Sequence, residues 1–159
     1  KEKKIKKVLP GIYYVPRYIE LIKEYSNPLV DNVVKAISRK FGWTIIHNDD
    51  VITNHLGLST QIPAKYVFYT DGPSKTLKIN EMDVKLIHKR KFYFKKQPEK
   101  FRNIVQSINA IGYDHMNQQQ INILKDMLTS QEKSELLKDS KDLPAKLQQQ
   151  IKEVYTKNA

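Results

Sequence analysis

Residues 56–74 read LGLSTQIPAKYVFYTDGPS, and this stretch decides how the middle of the chain folds. Gly57 is placed to end a short helix, because glycine adopts the left-handed backbone that follows a last helical turn. Residues 65–70 are dense in aromatic and β-branched side chains, which predicts a strand. Asp71-Gly72-Pro73-Ser74 has the composition of a tight turn. We therefore expect a helix end, a linker, a central strand and a turn.

The segment after this turn continues as strands. Residues 76–79 alternate polar and apolar side chains, and Asn80-Glu81 supplies a turn. Residues 84–88 then return with the same period of two. This order of strands and turns predicts an antiparallel meander across residues 65–88.

The first 16 residues predict a β-hairpin. Residues 1–7 carry too much charge to be buried, Pro10-Gly11 supplies a turn, and residues 12–15 read as a strand that Pro16 closes. A basic strand followed by an aromatic strand is typical of the wing of a winged helix-turn-helix, whose cations contact the DNA backbone. An ordinary β-hairpin fits the same residues.

Two helices are predicted before residue 43. Residues 18–25 fit a short helix with its isoleucines on one face. Asn27-Pro28 is typical of the start of a longer helix. The asparagine side chain can cap the helix N-terminus, and the N–H that proline lacks would have no partner within the first turn. Gly42 ends this longer helix. Its expected buried stripe consists of Leu29, Val33, Ile37 and Phe41.

The helix is followed by another strand and a capped turn of helix. Residues 43–47 are predicted to form the strand. Asn48 opens a polar run that caps a short helix over residues 51–56, and this helix stops at Gly57.

Beyond Pro98 the pattern becomes helical throughout. Thr129-Ser130-Gln131-Glu132 is a capping box, and Asp142-Leu143-Pro144 begins a last helix. The glutamine runs 118–120 and 148–150 are expected to face solvent. The apolar stripes of these helices comprise Phe101, Ile104, Val105, Ile108, Ile111, Ile121, Leu124, Leu128, Leu147, Ile151, Val154 and Tyr155.

Together these patterns predict an α+β fold. Its parts are an N-terminal wing-like β-hairpin, a helix with a small antiparallel β-sheet core, and a helical C-terminal lobe. Residues 1–17 would be the remaining hairpin of a winged helix-turn-helix, whose helices we expect upstream of Lys1. Residues 18–97 would form the α/β core with the meander, and residues 98–159 the helical lobe packed on it.

Composition narrows the class of protein. A chain of 159 residues can bury one real core or two small ones, and it contains no cysteine, which excludes disulfides, thiolate metal sites and thiol catalysis. No apolar run approaches the roughly 18 residues of a membrane span, and no apolar signal core follows the N-terminal lysines. We expect a soluble cytoplasmic protein without a membrane partner.

The net charge of +11 is confined to two segments. Residues 1–25 hold seven basic and three acidic side chains, and residues 75–102 hold ten and three, while the rest is balanced. Charge located in this way is typical of surfaces that meet phosphates or an acidic partner. The alternative is a solvated face beside each strand.

Residues 89–96 interleave cations with three aromatic rings. This pattern is typical of a nucleic-acid-facing edge, where cations meet phosphate and rings stack or cover apolar surface. The alternative is a final strand that buries Phe92 and Phe94 while its lysines protect an exposed edge. The candidate DNA contacts of the two basic segments are Lys3, Lys4, Lys6, Lys7, Tyr13, Lys89, Arg90, Lys91, Lys95 and Lys96.

One grouping of residues could hold a metal. No P-loop, dinucleotide fingerprint or serine nucleophile elbow occurs in the chain. His47, Asp49, Asp50 and His55 lie close together in sequence and include metal-ligating types. A helix cap and a short helix explain the same residues, so we expect neither a metal nor another cofactor.

A nuclease is the sharpest catalytic alternative. Asp71 followed by Asp83 and Lys85 matches the spacing of PD-(D/E)xK nucleases, in which two carboxylates on neighbouring strands hold a metal beside a lysine. Turn formation explains Asp71, and strand alternation explains the other two. We therefore expect a protein that is not an enzyme.

Four regions of the chain resemble AbiEi-type antitoxins. The central block Leu56-Gly57-Leu58-Ser59-Thr60-Gln61-Ile62-Pro63-Ala64-Lys65, continuing to Tyr69-Thr70-Asp71-Gly72-Pro73-Ser74, is similar to that of the family. The other three are Gly11-Ile12-Tyr13-Tyr14 with Pro16, Val33-Val34-Lys35-Ala36 to Gly42-Trp43-Thr44-Ile45, and Leu136-Leu137-Lys138-Asp139. The resemblance covers nearly the whole chain, and these regions follow the family's order.

The resemblance implies a bacterial antitoxin of a type IV toxin–antitoxin system that also represses its own operon. Its partners would be operator DNA and a nucleotidyltransferase toxin, which type IV antitoxins counteract without necessarily forming a complex. In that family a winged helix-turn-helix binds DNA and the following domain carries antitoxicity. The run at residues 47–50 departs from the family's more neutral loop. A second hypothesis is a protein-interaction module whose basic surface meets an acidic partner instead of DNA.

Overall fold

The computed structural model describes residues 4–62, 66–94 and 97–157 and has the predicted α+β class. The strands are β1 Lys6–Leu9, β2 Ile12–Tyr14, β3 Tyr18–Ile19, β4 Glu24–Tyr25, β5 Ile45–His47, β6 Tyr66–Thr70, β7 Lys75–Ile79 and β8 Met82–His88. The α-helices are α1 Val30–Phe41, α2 Asp49–His55, α3 Glu99–Ile111, α4 Gln118–Asp126, α5 Ser130–Asp139 and α6 Ala145–Thr156. Short 3-10 helices occur at Lys91–Phe94, Tyr113–His115 and Ser140–Asp142.

The chain divides into two compact units. Unit 1 contains residues 1–46 and 65–89, and unit 2 contains residues 47–64 and 90–159. This differs from the predicted division in three respects. Residues 90–94, predicted to belong to the core that ends at residue 97, fall in unit 2. The N-terminal hairpin belongs to the same unit as the sheet, because Ile12 is buried in the unit 1 core. Residues 47–64 belong with the C-terminal helices, because Leu58 is buried among them.

Unit 1 is built on a mixed sheet of order β5-β6-β8-β7. β8 pairs in parallel with β6, with Tyr66 opposite Val84, and antiparallel with β7. The predicted antiparallel meander is therefore wrong, and only the β7–β8 hairpin keeps that form. β8 suits the central position because Val84 and Leu86 are almost fully buried, whereas β7 carries exposed lysines that suit an edge.

Helix α1 packs its valines and Ile37 into the core of unit 1. The predicted stripe is right at Val33 and Ile37 but wrong at both ends, because Leu29 is 70% exposed and Phe41 is 47% exposed. The helix ends at Gly42 as predicted, with φ at 67°. The core comprises Ile12, Val30, Val33, Val34, Ile37, Phe68, Ile79, Val84 and Leu86.

Residues 18–25 form a hairpin and not the predicted helix. Tyr18 pairs with Tyr25 across β3 and β4, and their rings meet edge to face at 5.2 Å. Ser26 N donates to Arg17 O at 2.7 Å, and Arg17 N donates to Ser26 Oγ at 2.9 Å. These bonds close the hairpin from outside, a constraint that the spacing of apolar residues does not reveal.

Unit 2 is helical, as predicted for the C-terminal region, and side chains cap the N-termini of α2, α4 and α5. Asn48 accepts from Val51 N at the start of α2, and Thr129 with Glu132 forms the predicted capping box of α5. Its core comprises Leu58, Phe101, Ile104, Val105, Ile108, Leu124, Leu128, Leu136, Leu143, Leu147, Ile151 and Val154. In the described ranges, no helix combines the length and apolar character needed to cross a bilayer.

Two of the glutamines expected to face solvent instead bind the backbone. Gln120 Nε2 donates to Leu58 O at 2.8 Å, and Gln148 Nε2 donates to Leu143 O at 2.6 Å. Both amides thus satisfy carbonyls of loops that a helical pattern alone does not place nearby. These runs contribute to how unit 2 holds its loops.

Candidate nucleic-acid interface

The β1–β2 hairpin places cations and an aromatic ring in solvent. Lys7 and Tyr13 lie opposite each other in the register, and Lys6 lies opposite Tyr14. Lys4, Lys6 and Lys7 are exposed, and Tyr13 is 59% exposed. Because cross-strand pairs share a face, Lys7 and Tyr13 form one outward surface. Lys3, also predicted to contact DNA, lies outside the described residues.

The hairpin is held by its other face and by its turn. Ile12 is 6% exposed in the unit 1 core, and Val8 and Leu9 pack against that core. Gly11 has φ of 74°, and Lys40 Nζ donates to the carbonyl of Pro10 within the same turn. The basic strand is thus anchored to α1, and its lysines project from a fixed support.

The second predicted surface, residues 89–96, is divided between the two units. Lys89 ends the unit 1 segment, and its Nζ lies 4.5 Å from the centre of the Tyr69 ring. Arg90 and Lys91 belong to unit 2 and are exposed. Lys95 and Lys96 fall outside the described residues. Lys89 thus falls in unit 1, and Arg90 and Lys91 fall in unit 2. DNA contact through residues 89–96 stays a prediction.

The aromatic residues of this segment support unit 2. They form a 3-10 helix where a final strand was the alternative expectation. Phe92 packs against the unit 2 core, and Tyr93 Oη accepts from Asn109 Nδ2 at 2.8 Å. Burial, followed by the nearby Asp49 carboxylate, raises the pKa of Tyr93. Phe92 and Tyr93 are thus engaged in packing within their own unit.

The block at residues 69–74 has a structural role that its hydrogen bonds explain. Asp71 Oδ1 accepts from Thr44 N at 2.8 Å, and Thr70 Oγ1 accepts from Gly72 N at 3.0 Å. A Cβ at Gly72 would lie 2.5 Å from the indole of Trp43, so any side chain there would have to displace the ring. His88 Nδ1 lies 2.8 Å from the carbonyl oxygen of Gly72. The turn thus connects β6 to the backbone at Thr44 and to the Trp43 side chain.

The nuclease alternative fails on geometry. β6 and β8 run in parallel, so Asp71 follows the end of β6 where Thr70 faces His88, while Asp83 lies at the opposite end of β8. Six residues of strand separate their levels, which corresponds to about 20 Å. Two carboxylates that hold one metal must lie within a few ångströms of it. Asp71, Asp83 and Lys85 therefore do not form the predicted metal-binding set.

The histidine–aspartate grouping near α2 makes hydrogen bonds and a ring contact within the protein. Asp49 Oδ1 and the carbonyl of His47 both accept from Gln106 Nε2, at 3.0 and 2.9 Å. The His47 and His55 rings meet edge to face at 5.9 Å. Within residues 4–62, 66–94 and 97–157, no group of three or more potential ligands is arranged to hold a metal.

Sequence reasoning missed an aromatic pair in unit 1 in which one ring is exposed. Phe41 and Trp43 stack with ring centres 4.5 Å apart and planes 17° from parallel. The Nζ atoms of Lys40 and Lys75 lie 5.1 and 6.0 Å from the centre of the Phe41 ring. The available signal was the basic pair Arg39-Lys40 just before two rings separated by Gly42. The pair was not predicted because Phe41 was assigned to the buried stripe of α1.

Comparisons with known proteins place the chain in a family. The model of DUF6088, a family of unknown function, matches residues 1–136. No curated protein matches the chain, and no solved structure matches it. The matched range includes both basic segments, the sheet and the helices as far as the middle of α5. The chain therefore belongs to the DUF6088 family.

Proposed function

We propose that this protein is a DNA-binding antitoxin of the type IV class, which represses its own operon and counteracts a nucleotidyltransferase toxin in the bacterial cytoplasm. It performs no catalysis in this role. The observation that carries the proposal is the β1–β2 hairpin, with Lys6, Lys7 and Tyr13 exposed on a support anchored by Ile12. Basic side chains on a rigid hairpin suit contact with DNA phosphates.

The distribution of charge supports the same proposal. Unit 1 holds 15 basic and 7 acidic residues, a net charge of +8, whereas unit 2 holds 13 and 10, a net charge of +3. A cationic unit attracts DNA over several ångströms and raises the rate of encounter. The four-region resemblance to AbiEi-type antitoxins supports the more specific role.

A duplex titration tests DNA binding. The full chain is titrated with a duplex that carries the upstream region of its own gene, at several salt concentrations. We expect log affinity to fall linearly with log salt. The double variant Lys6→Gln/Lys7→Gln should reduce the magnitude of this slope by about 1.8, because each lost phosphate contact removes about 0.9.

The matched control removes the same charge from unit 2. Lys146 and Lys152 are exposed on α6, so the variant Lys146→Gln/Lys152→Gln should leave the slope unchanged. Equal slopes for the wild-type chain and the Lys6/Lys7 variant would contradict a role for the hairpin. Antitoxicity is tested separately, by co-expression with a nucleotidyltransferase encoded beside the gene.

One observation favours the protein-interaction module as a second candidate. The β3–β4 hairpin exposes Leu21 by 92% and Ile22 by 55%, and its charges balance, with Arg17 and Lys23 against two glutamates. Exposed apolar side chains with balanced charge suit a protein partner better than a phosphate backbone. Capture of the nucleotidyltransferase by the wild-type chain, lost in Leu21→Asp and without duplex binding, would favour this candidate.

A further inference from the structure

The Phe41–Trp43 pair forms a flat aromatic surface at the end of α1. The rings are nearly parallel, and Phe41 remains 47% exposed although it is a large apolar side chain. Trp43 is half-buried behind it. An aromatic ring that is backed by a second ring and open to solvent can stack a planar ligand.

The pair is fixed in place before any ligand arrives. The Trp43 indole packs against Gly72, where a Cβ would come within 2.5 Å of the ring. Ser38 Oγ donates to the carbonyl of Trp43, which holds the backbone after the helix end. A preorganised surface loses little conformational freedom on binding, so stacking energy is retained.

Two ammonium groups lie over the exposed Phe41 ring. Lys75 Nζ is 6.0 Å from the centre of the Phe41 ring, and Lys40 Nζ is 5.1 Å from it. Lys40 also donates to the carbonyl of Pro10, so it is held near the ring. Rings with neighbouring lysines can bind both parts of a nucleotide, because the base stacks on the ring and the phosphate meets the ammonium.

We infer that Phe41, Trp43, Lys40 and Lys75 form a stacking site for an unpaired nucleobase of a nucleic-acid strand. The inference extends the proposed function, because it adds recognition of unpaired bases to duplex binding through the hairpin. The chemistry that selects this ligand is a planar base with an adjacent phosphate. A fully paired duplex does not present a free base face to such a surface.

The site differs from the other aromatic groups in unit 1 by combining fixed rings with unbalanced charge. Tyr18 and Tyr25 meet edge to face on a hairpin whose charges cancel. Tyr69 is 8% exposed beneath Lys89, so its ring offers little surface for stacking. In the Phe41–Trp43 pair the rings are nearly parallel, Phe41 is exposed, and two lysine ammonium groups lie over the Phe41 ring.

Trp43 makes the inference directly measurable, because it is the chain's one tryptophan. Its fluorescence is followed while the full chain is titrated with an octamer of thymidylate, and in parallel with an abasic strand of equal length. We expect saturable quenching by the octamer and about tenfold weaker binding of the abasic strand, which has the phosphates but no bases. Equal affinity for the two strands would overturn the inference.

Variants of Phe41 separate stacking from folding. Phe41→Leu should weaken octamer binding about tenfold while leaving binding of the abasic strand unchanged, whereas Phe41→Tyr should retain octamer binding. Both are measured by anisotropy of a labelled octamer, and circular dichroism confirms that they are folded. Lys75→Gln should weaken binding of both the octamer and the abasic strand. Lys146→Gln is its control and should leave both affinities unchanged. An unchanged octamer affinity in folded Phe41→Leu would also overturn the inference.

A parallel titration with an octamer of uridylate shows whether the unpaired base can come from RNA as well as from DNA. Quenching by either octamer that is lost in Phe41→Leu supports the site, and quenching by neither overturns it. Failure here is distinguishable from failure of the proposed function. If the duplex binds with the expected salt slope but the octamers do not bind, only the stacking site is contradicted. If the octamers bind but the duplex does not, only duplex recognition is contradicted.

Discussion

Unit 1 and unit 2 use their apolar side chains differently. Among the described residues, fourteen large apolar side chains are exposed, and all except Ile62 belong to unit 1. The described part of unit 2 instead buries thirteen apolar residues, twelve of them in one cluster, and unit 2 carries a net charge of only +3. Unit 1 therefore carries most of these exposed apolar side chains and most of the net positive charge of this small chain. We expect substitutions in the two units to differ in kind.

The largest expected effect is on the unit 2 core. Ile151 is fully buried, so Ile151→Ala should lower the free energy of unfolding by about 2–5 kcal/mol through lost contacts and a cavity. Urea unfolding followed by the helical circular dichroism signal measures it. Leu21→Ala, at a side chain exposed by 92%, is the control and should stay within about 0.5 kcal/mol. Similar losses for both variants would break the comparison.

A smaller loss is expected at Gly72 of unit 1, which packs against the Trp43 indole. Gly72→Ala should cost about 1–3 kcal/mol, because its Cβ would lie 2.5 Å from the Trp43 indole. Trp43 fluorescence should change in the folded variant, since the ring must move. Gly42→Ala is the matched glycine control: its Cβ meets nothing within 4 Å, but φ of 67° costs about 1 kcal/mol. An unchanged emission spectrum in Gly72→Ala would contradict this prediction.

The smallest effect concerns the cap of α5. Thr129→Ala should cost about 1 kcal/mol, because Thr129 Oγ1 accepts from Glu132 N. Ser130→Ala removes a neighbouring hydroxyl without a capping role and should be close to neutral. The melting temperatures of the two variants are compared by thermal unfolding at neutral pH. Equal melting temperatures would show that the Thr129 cap does not stabilise the protein.

The same cap predicts how stability depends on pH. The backbone N–H of Thr129, followed by Lys100, lowers the pKa of Glu132. A lowered pKa contributes stability that is full above the ordinary glutamate value and is lost as the pH falls through the lowered one. Glu132→Gln should therefore flatten the decline of melting temperature on acidification. An unaltered acid limb in this variant would contradict the assignment.

Local signals made much of unit 2 predictable. The Thr129–Glu132 box and the Asn48 cap depend on residues within one turn of each other, and the same holds for the helix end at Gly42 in unit 1. Such signals act through the backbone that carries them, so tertiary context seldom reverses them. The helical C-terminal region followed from these signals and from its apolar stripes.

The errors arose where distant segments decide. β8 inserts beside β6 because its alternate residues are buried on one face, and neither short turn specifies that pairing. The hairpin at residues 18–25 was read as a helix because Ile19 and Ile22 have helical spacing, although both are exposed. The candidate site suffered similarly. The exposure of Phe41 depends on tertiary packing, which no local pattern specifies.

The edge position of β7 has a consequence for the protein in a crowded cell. This strand ends the sheet, so one row of its backbone groups is not paired within the sheet. Lys75 and Lys78 lie on it and are exposed, and lysines on an edge strand oppose its pairing with a strand of another molecule. Replacing both by threonine would leave a flat, β-prone edge. The same lysines thus protect the chain against aggregation, whatever ligand they contact.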